Sequence, residues 1–328
     1  MTKYDLVGIG NAIVDVISQS DDAFLDRMGI QKGIMQLVEA ERGEALYDAM
    51  ENRWQAPGGS LANSVAGAGA LGLKTAFIGR VRDDDLGAYY AESMTKEGTD
   101  FVNAPVAGGD LPTSRSMIFV SPDGERSMNT YLGISSEVGP DDVDEAVPAA
   151  AKLLFLEGYL YDKDKGKAAF TKAARACRDA GGMAGISLSD PFCVDRHRAD
   201  FRKLVQELDF VIGNEEEWLS LYESDDLGTV VEKAVSEVGL MVCTRSGHDV
   251  LLARGDEEVV VPVTPITPVD TTGAGDQFAA GFLYGLATGA SLETAGRMGC
   301  IAAAEVISHY GARPETDVMA LFKEAGLV

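Results

Sequence analysis

Cysteine and histidine are scarce. Among 328 residues there are four cysteines, Cys177, Cys193, Cys243 and Cys300, and three histidines, His197, His248 and His309. No two cysteines form a C-x-x-C pair and no two histidines have H-E-x-x-H spacing. A zinc site, a disulfide framework and a histidine-based triad therefore lack material, and a reducing cytoplasm fits this usage. Positive charge is also short, with 28 Lys and Arg against 52 Asp and Glu, a net charge of −24. Such a field repels duplex nucleic acid and anionic membrane surfaces, which excludes both as partners, but a local site can still hold a small anion.

A long run of bulky apolar residues is missing as well. Ala56–Leu73 is free of charge for 18 residues, yet it holds Pro57, five glycines, Ser60, Asn63 and Ser64. A bilayer helix would be mostly bulky and apolar, so this stretch reads as a loop feeding a closely packed soluble helix. The start, MTKYDLVGIG, carries Lys3 and Asp5 and has no basic-then-apolar secretory pattern, so a cytoplasmic location is expected.

What is present is enough apolar residue, 46% of the chain, for a sizeable core. Short apolar stretches at Tyr4–Gly8, Ala76–Ile78, Leu153–Leu156, Gly185–Leu188, Phe210–Ile212 and Met241–Thr244 read as strands. Helical stretches such as Lys165–Ala180 and Thr229–Val238 lie between several of them. The alternation predicts an α/β fold with a mostly parallel central sheet flanked by helices. No repeat and no Ser/Gly linker divides it, so a single domain over 1–328 is expected. Ser116–Ser121 and Arg126–Tyr131, joined by Pro122-Asp123-Gly124-Glu125, read as an inserted β-hairpin. Val14–Val38 is also hard to fit as a crossover helix. Segments of roughly 14–40 and 108–134 are expected to form a small second sheet, either a lid over a site or a surface hairpin without a role.

The most informative stretch is Asp270-Thr-Thr-Gly-Ala-Gly-Asp276, followed by a helix whose Phe278, Phe282 and Leu286 share one face. Gly273, Ala274 and Gly275 fall where loop turns into helix. Small residues there expose backbone N–H groups beside the positive end of the helix dipole, which makes an anion cradle. Asp276 in the first turn is placed to take a hydroxyl proton beside that cradle, or simply to cap the helix. Gly8-Ile-Gly10-Asn11 begins like a dinucleotide fingerprint, but Ile13 stands at the third glycine and Asp15 follows Gly10 by five residues. A nicotinamide enzyme is therefore disfavoured. Asn11 and Asp15 suit vicinal hydroxyls, with Gly58, Gly59 and Asn63 closing the other side of a sugar.

The stretch DTTGAGDQFAAGF resembles the C-terminal signature of the PfkB, or ribokinase-like, family of small-molecule kinases, and Pro57-Gly-Gly-Ser-Leu-Ala-Asn63 resembles its N-terminal glycine-rich signature. The resemblance runs from about Tyr4 to Pro314. It implies a ribokinase-like α/β fold with a β-sheet lid, ATP and Mg²⁺, and phosphoryl transfer to an alcohol. Asp276 is then the base, and Gly273, Ala274 and Gly275 the anion hole. Asn214 and Glu217 match an N-x-x-E pattern that orders Mg²⁺ through its waters, though both also suit a helix start. Arg126 resembles a lid residue that meets substrate or phosphate, the alternative being a surface ion pair. Thr244, Ser246 and Gly247 resemble a nucleotide-side turn, with Ser246 and Asp249 where glycine is usual, and Thr272 and Gly275 join them on the ATP side. Asp270, Thr272 and the Gly311 region match a monovalent-cation loop, which leaves K⁺ open.

The G-N-x-x-x-D spacing at Gly10–Asp15 is more similar to adenosine kinases than to typical ribokinases, as are Asp22–Leu25 and Leu188–Phe192. A ribonucleoside such as adenosine is the first expectation for the acceptor and a free sugar, as for a ribokinase or fructokinase, the second. A pseudo-kinase that binds nucleotide or sugar and regulates a partner is a third. A base would need an apolar slot; Gly33–Leu37 and Phe119 are candidates for it, or for lid core. A monomer and a homodimer paired through lid edges both fit.

Overall fold

The computed structural model describes residues 2–328. The chain runs β1 (Tyr4–Ile9), β2 (Ile13–Gln19), α1 (Asp22–Met28), β3 (Met35–Leu37), α2 (Ala40–Ala49), β4 (Trp54–Gly58), α3 (Ser60–Ala70), β5 (Thr75–Ile78), α4 (Asp85–Lys96) and β6 (Thr99–Phe101). It continues with β7 (Ser114–Val120), β8 (Arg126–Tyr131), β9 (Ala151–Glu157), α5 (Asp164–Asp179), β10 (Met183–Ser187), α6 (Pro191–Leu204), β11 (Phe210–Asn214), α7 (Glu215–Tyr222) and α8 (Leu227–Glu237). Last come β12 (Met241–Arg245), β13 (His248–Arg254), β14 (Glu257–Val261), α9 (Ala274–Thr288), α10 (Leu292–Val306) and α11 (Val318–Glu324).

Nine strands form one sheet in the order β14-β13-β12-β11-β10-β9-β1-β5-β6. From β12 to β6 every neighbouring pair is parallel, and β13 and β14 add an antiparallel edge. Parallel strands covered on both faces need apolar residues at successive positions, and β5 and β9 meet that demand with Thr75–Ile78 and Leu153–Glu157 all buried. In β9, Leu154 and Leu156 join one core while Leu153 and Phe155 join the other, as a side-chain period of two requires. The first core packs under α5, whose Ala169, Phe170, Ala173 and Cys177 form a single buried stripe. The second packs under α9, with Phe278 and Phe282 stacked on one face.

Five strands form a smaller sheet in the order β3-β8-β7-β2-β4. The expected hairpin is β7–β8, paired from Arg115↔Tyr131 to Val120↔Arg126. One element differs from expectation. Trp54–Gly58, whose second half was read as loop, is an antiparallel strand on β2. Its place at the sheet edge explains how Pro57 is tolerated, because no second neighbour asks for the missing N–H. Residues on β2 alternate: Val14 and Val16 are fully buried and continue the second core with Leu25 and Leu46, while Ile13, Asp15 and Ile17 face the other way. Phe119 is also fully buried and packs on Phe24, so it is lid core and offers no base slot. Among the described residues, no helix is long and apolar enough to cross a membrane.

Candidate active site

Because the strands run parallel, the C-terminal ends of β9 to β12 open on one edge of the large sheet, the usual place for a ligand in such folds. A cavity of about 420 Å³ lies there, between that edge, the N-termini of α3 and α9, and the inner face of the small sheet. Asp15 and Asp276 both line it, from opposite ends of the chain. A wider space of about 890 Å³ also reaches Asp15, with Arg126 and Arg313 in its wall.

At the start of α9, Gly273 has φ +80, and a methyl group there would lie 2.6 Å from Ala312 Cα. Only glycine fits. The Ala274 N–H, expected in the anion hole, instead donates to the Thr271 carbonyl at 3.3 Å, while the N–H groups of Gly275 and Asp276 precede the first i−4 bond, from Gln277 to the Gly273 carbonyl at 2.8 Å. Gly275 lines the cavity and has open space around it. Asp276 Oδ1 accepts from Ser60 Oγ at 2.6 Å, and Oδ2 accepts from Asn63 Nδ2 at 3.0 Å. Burial pushes the Asp276 carboxyl up to about 6, against those two donors, which favour the ionised form. A carboxylate with that value is ionised at neutral pH yet basic enough to take a proton.

Asp15 is different. Among the described residues no donor reaches its carboxylate, and burial pushes it up to about 6, opposed by Arg126 and Arg313 and aided by Asp276. Gly58 packs against it so closely that a methyl group there would lie 2.5 Å from Asp15 Oδ1. Gly59 and Asn63 line the same cavity, as expected from the glycine-rich signature.

Asn11 is a correction. The sequence assigns it to hydroxyls, but its side chain is buried and committed elsewhere. Nδ2 donates to Glu157 Oε1 at 2.7 Å and Oδ1 accepts from Ser135 Oγ at 2.9 Å. Glu157, at the end of β9, also accepts from the Asn11 and Leu61 backbone N–H groups, and burial pushes it up to about 7. Glu157, Ser60 and Arg313 were not picked out from the sequence. Ser60 had a visible signal, three residues before Asn63 and so on one helix face with it. Glu157 and Arg313 had none, since their partners lie 146 and 250 positions away.

Asn214 and Glu217 line the cavity but hold each other. Asn214 Oδ1 caps the Glu217 N–H at 2.9 Å, and Glu217 Oε2 accepts from the Asn214 N–H at 2.9 Å. Burial pushes Glu217 up to about 8. Arg126 reaches across from β8 to Asp270, Nη1 to Oδ2 at 3.0 Å, with both side chains largely buried. Asp270 also accepts from the N–H groups of Thr272 at 2.9 Å and Gly311 at 3.0 Å. Burial works to raise its pKa, and the donors and Arg126 outweigh it and hold it below the usual range. The Asp270 side chain is thus occupied, and a monovalent cation would have to use carbonyl oxygens. Among the described residues no group of three or more Asp, Glu, His or Cys side chains forms a metal cluster. Thr244 and Thr272 line the cavity, whereas Ser246 and Gly247 form the β12–β13 turn, where Ser246 takes φ +51, the conformation glycine adopts most easily.

The model of the pfkB family of carbohydrate kinases matches residues 31–318. A structure described as a probable sugar kinase from Rhizobium etli CFN 42 is 43% identical, covers 100% of both chains and superimposes with a TM-score of 0.90. The adenosine kinase from Sinorhizobium meliloti is also 43% identical, over 99% of this chain and 100% of its own, with a TM-score of 0.90. An uncharacterized sugar kinase from Archaeoglobus fulgidus is 30% identical over 251 residues, 75% of this chain and 96% of that protein.

Proposed function

The chain belongs to the pfkB family of carbohydrate kinases, and from that premise we propose that it moves the γ-phosphoryl group of ATP to the primary hydroxyl of a ribonucleoside, adenosine first. Its fold is ribokinase-like, and it is a phosphotransferase with an alcohol as acceptor. The observation that carries the nucleoside reading is the make-up of the 420 Å³ cavity. Three carboxyl groups, Asp15, Asp276 and the Asn214-bonded Glu217, share it with an apolar wall of Ile13, Met35 and Met128. Asp15, with no protein donor, accepts the vicinal hydroxyls of a ribose. The apolar wall accepts the face of a base, whereas a free sugar bears hydroxyls all round and would leave some unpaired against it.

In this reading Asp276 holds the acceptor hydroxyl and takes its proton as the phosphoryl group arrives, and the N–H groups at Gly275 and Asp276 face the transferring charge. Mg²⁺, when bound, neutralises charge on the phosphates. Asn214 and Glu217 suit it through water only, because their side chains already bond to each other. K⁺ is kept as a further candidate, on carbonyls of the 270–272 and 311 loops. We also take 1–328 as one domain, Met1 lying outside the described residues, with the small sheet as its lid. Four unpaired cysteines support a cytoplasmic setting.

The free-sugar reading is favoured by the likeness to the Rhizobium etli structure. One assay separates them: ADP release from ATP with adenosine, 2′-deoxyadenosine, ribose and fructose. Turnover greatest with adenosine supports the proposal. Turnover greatest with fructose or ribose replaces it with the sugar reading, and none with any alcohol favours a non-catalytic binder.

A further inference from the structure

Asp276 does not stand alone at the end of α9. Asn63 donates to its Oδ2 at 3.0 Å, and Asn63 in turn accepts, at Oδ1, from Arg313 Nε at 3.1 Å. A carboxylate only accepts and a guanidinium only donates, so just one orientation of the Asn63 amide satisfies both neighbours. Turned over, its oxygen would face the Asp276 carboxylate and its NH₂ would face the guanidinium, two repulsive contacts in place of two hydrogen bonds. Asn63 is buried, so water does not easily replace either bond.

We propose that Arg313 is a positioning residue for phosphoryl transfer: it fixes the Asn63 amide so that Asp276 always has a donor on Oδ2 and keeps its accepting capacity aimed at the acceptor hydroxyl. The proposal deepens the kinase reading and rests on Asp276 as the base. Arg313 is itself well held. It ion-pairs with Glu97 beyond the end of α4. Its loop is pinned by the buried Glu305, whose Oε1 accepts from the Glu315 N–H at 3.0 Å and the Thr316 N–H at 2.8 Å. Gln277 closes the frame from α9, donating to the Asn63 carbonyl at 3.3 Å and the Ala312 carbonyl at 3.0 Å. The α3 helix, the 311–316 loop and the first turn of α9 are thereby tied at the base.

The test is a double-mutant cycle on Arg313→Met and Asn63→Ala, followed by ADP release with ATP and adenosine, or fructose where the acceptor panel selects it. A hydrogen bond to a charged group is worth about ten- to a hundredfold. Arg313→Met is expected to lower kcat by about tenfold, with KM for ATP within about twofold. In the Asn63→Ala background the same change should cost less than about twofold, since Arg313 acts through Asn63. Glu97→Gln, which removes the ion pair and spares the Nε bond, should keep wild-type kcat; thermal melts confirm that each variant is folded. Additive losses, or an Arg313→Met enzyme with unchanged kcat, overturn the proposal. A matching loss in Glu97→Gln also overturns it, because the role of Arg313 would then be to hold the loop. Asp276→Asn in parallel keeps the two ideas apart. If it stays active, the base reading falls and the positioning role with it. If it is inactive while Arg313→Met is not, only the positioning role falls.

Discussion

At Asp15 a half-buried carboxylate has no donor among the described residues, whereas the Asn11 amide is bonded at both ends. The two were read together from Gly10–Asp15 as a pair of hydroxyl ligands, and only Asp15 lines the cavity. The difference is set by Glu157 and Ser135, which each bond one end of the Asn11 amide away from the cavity lined by Asp15. A carboxylate that loses its expected donor costs about 1–3 kcal/mol, roughly a factor of 5 to 150. The 2′-deoxynucleoside should therefore fall below the ribonucleoside in kcat/KM by a factor in that range. Asp15→Ala should lose activity on the ribonucleoside and narrow that gap, with ATP binding nearly unchanged. A variant that binds ATP poorly but still discriminates would remove Asp15 from the hydroxyl site. The motif residues were legible because each signature is continuous along the chain: Gly275 and Asp276 from one, and Gly59 and Asn63 from the other, line the cavity. Their partners were not, because Glu157 and Arg313 are joined to the site only by the fold.

Among the elements, we propose the small sheet as the part that moves for phosphoryl transfer. Water must be excluded or ATP is hydrolysed. Arg126 on β8 meets Asp270 on the loop before α9, so this ion pair links lid to base while both side chains are largely out of solvent. Hydrogen exchange across Ser116–Tyr131 should slow when adenosine and a non-hydrolysable ATP analogue are bound, and unchanged exchange at saturation would argue against a closing lid. The hairpin and its Pro122–Glu125 turn were readable from turn chemistry. The strand at Trp54–Gly58 was not, because Pro57 and Gly58 are poor strand formers by themselves and are accepted here only at an edge. That edge also bears on assembly: β3 is three residues long and β4 carries Pro57, so neither offers a long flat row of N–H groups to a second lid.

On the scale of the whole molecule, four carboxyl groups around the site are raised above their ordinary values by burial: Asp15 and Asp276 to about 6, Glu157 to about 7 and Glu217 to about 8. A group whose folded pKa exceeds its unfolded one stabilises below the unfolded value, and that contribution is lost as pH rises through the folded value. The window is thus pH ~8 down to ~4. In a chain of net charge −24, lowering pH also relieves self-repulsion. The ligand-free protein should melt at a higher temperature at pH 5.5 than at pH 7.5, and a lower Tm at pH 5.5 would contradict these shifts. In the proposed mechanism, function at this scale comes down to a proton passing from an alcohol to Asp276. The most direct test is turnover by Asp276→Asn with ATP and the best acceptor. General-base catalysis is worth about 10²–10⁴-fold, so kcat should fall by at least that much while ATP affinity stays close to wild type. An Asp276→Asn enzyme with near wild-type turnover would show that Asp276 only caps its helix.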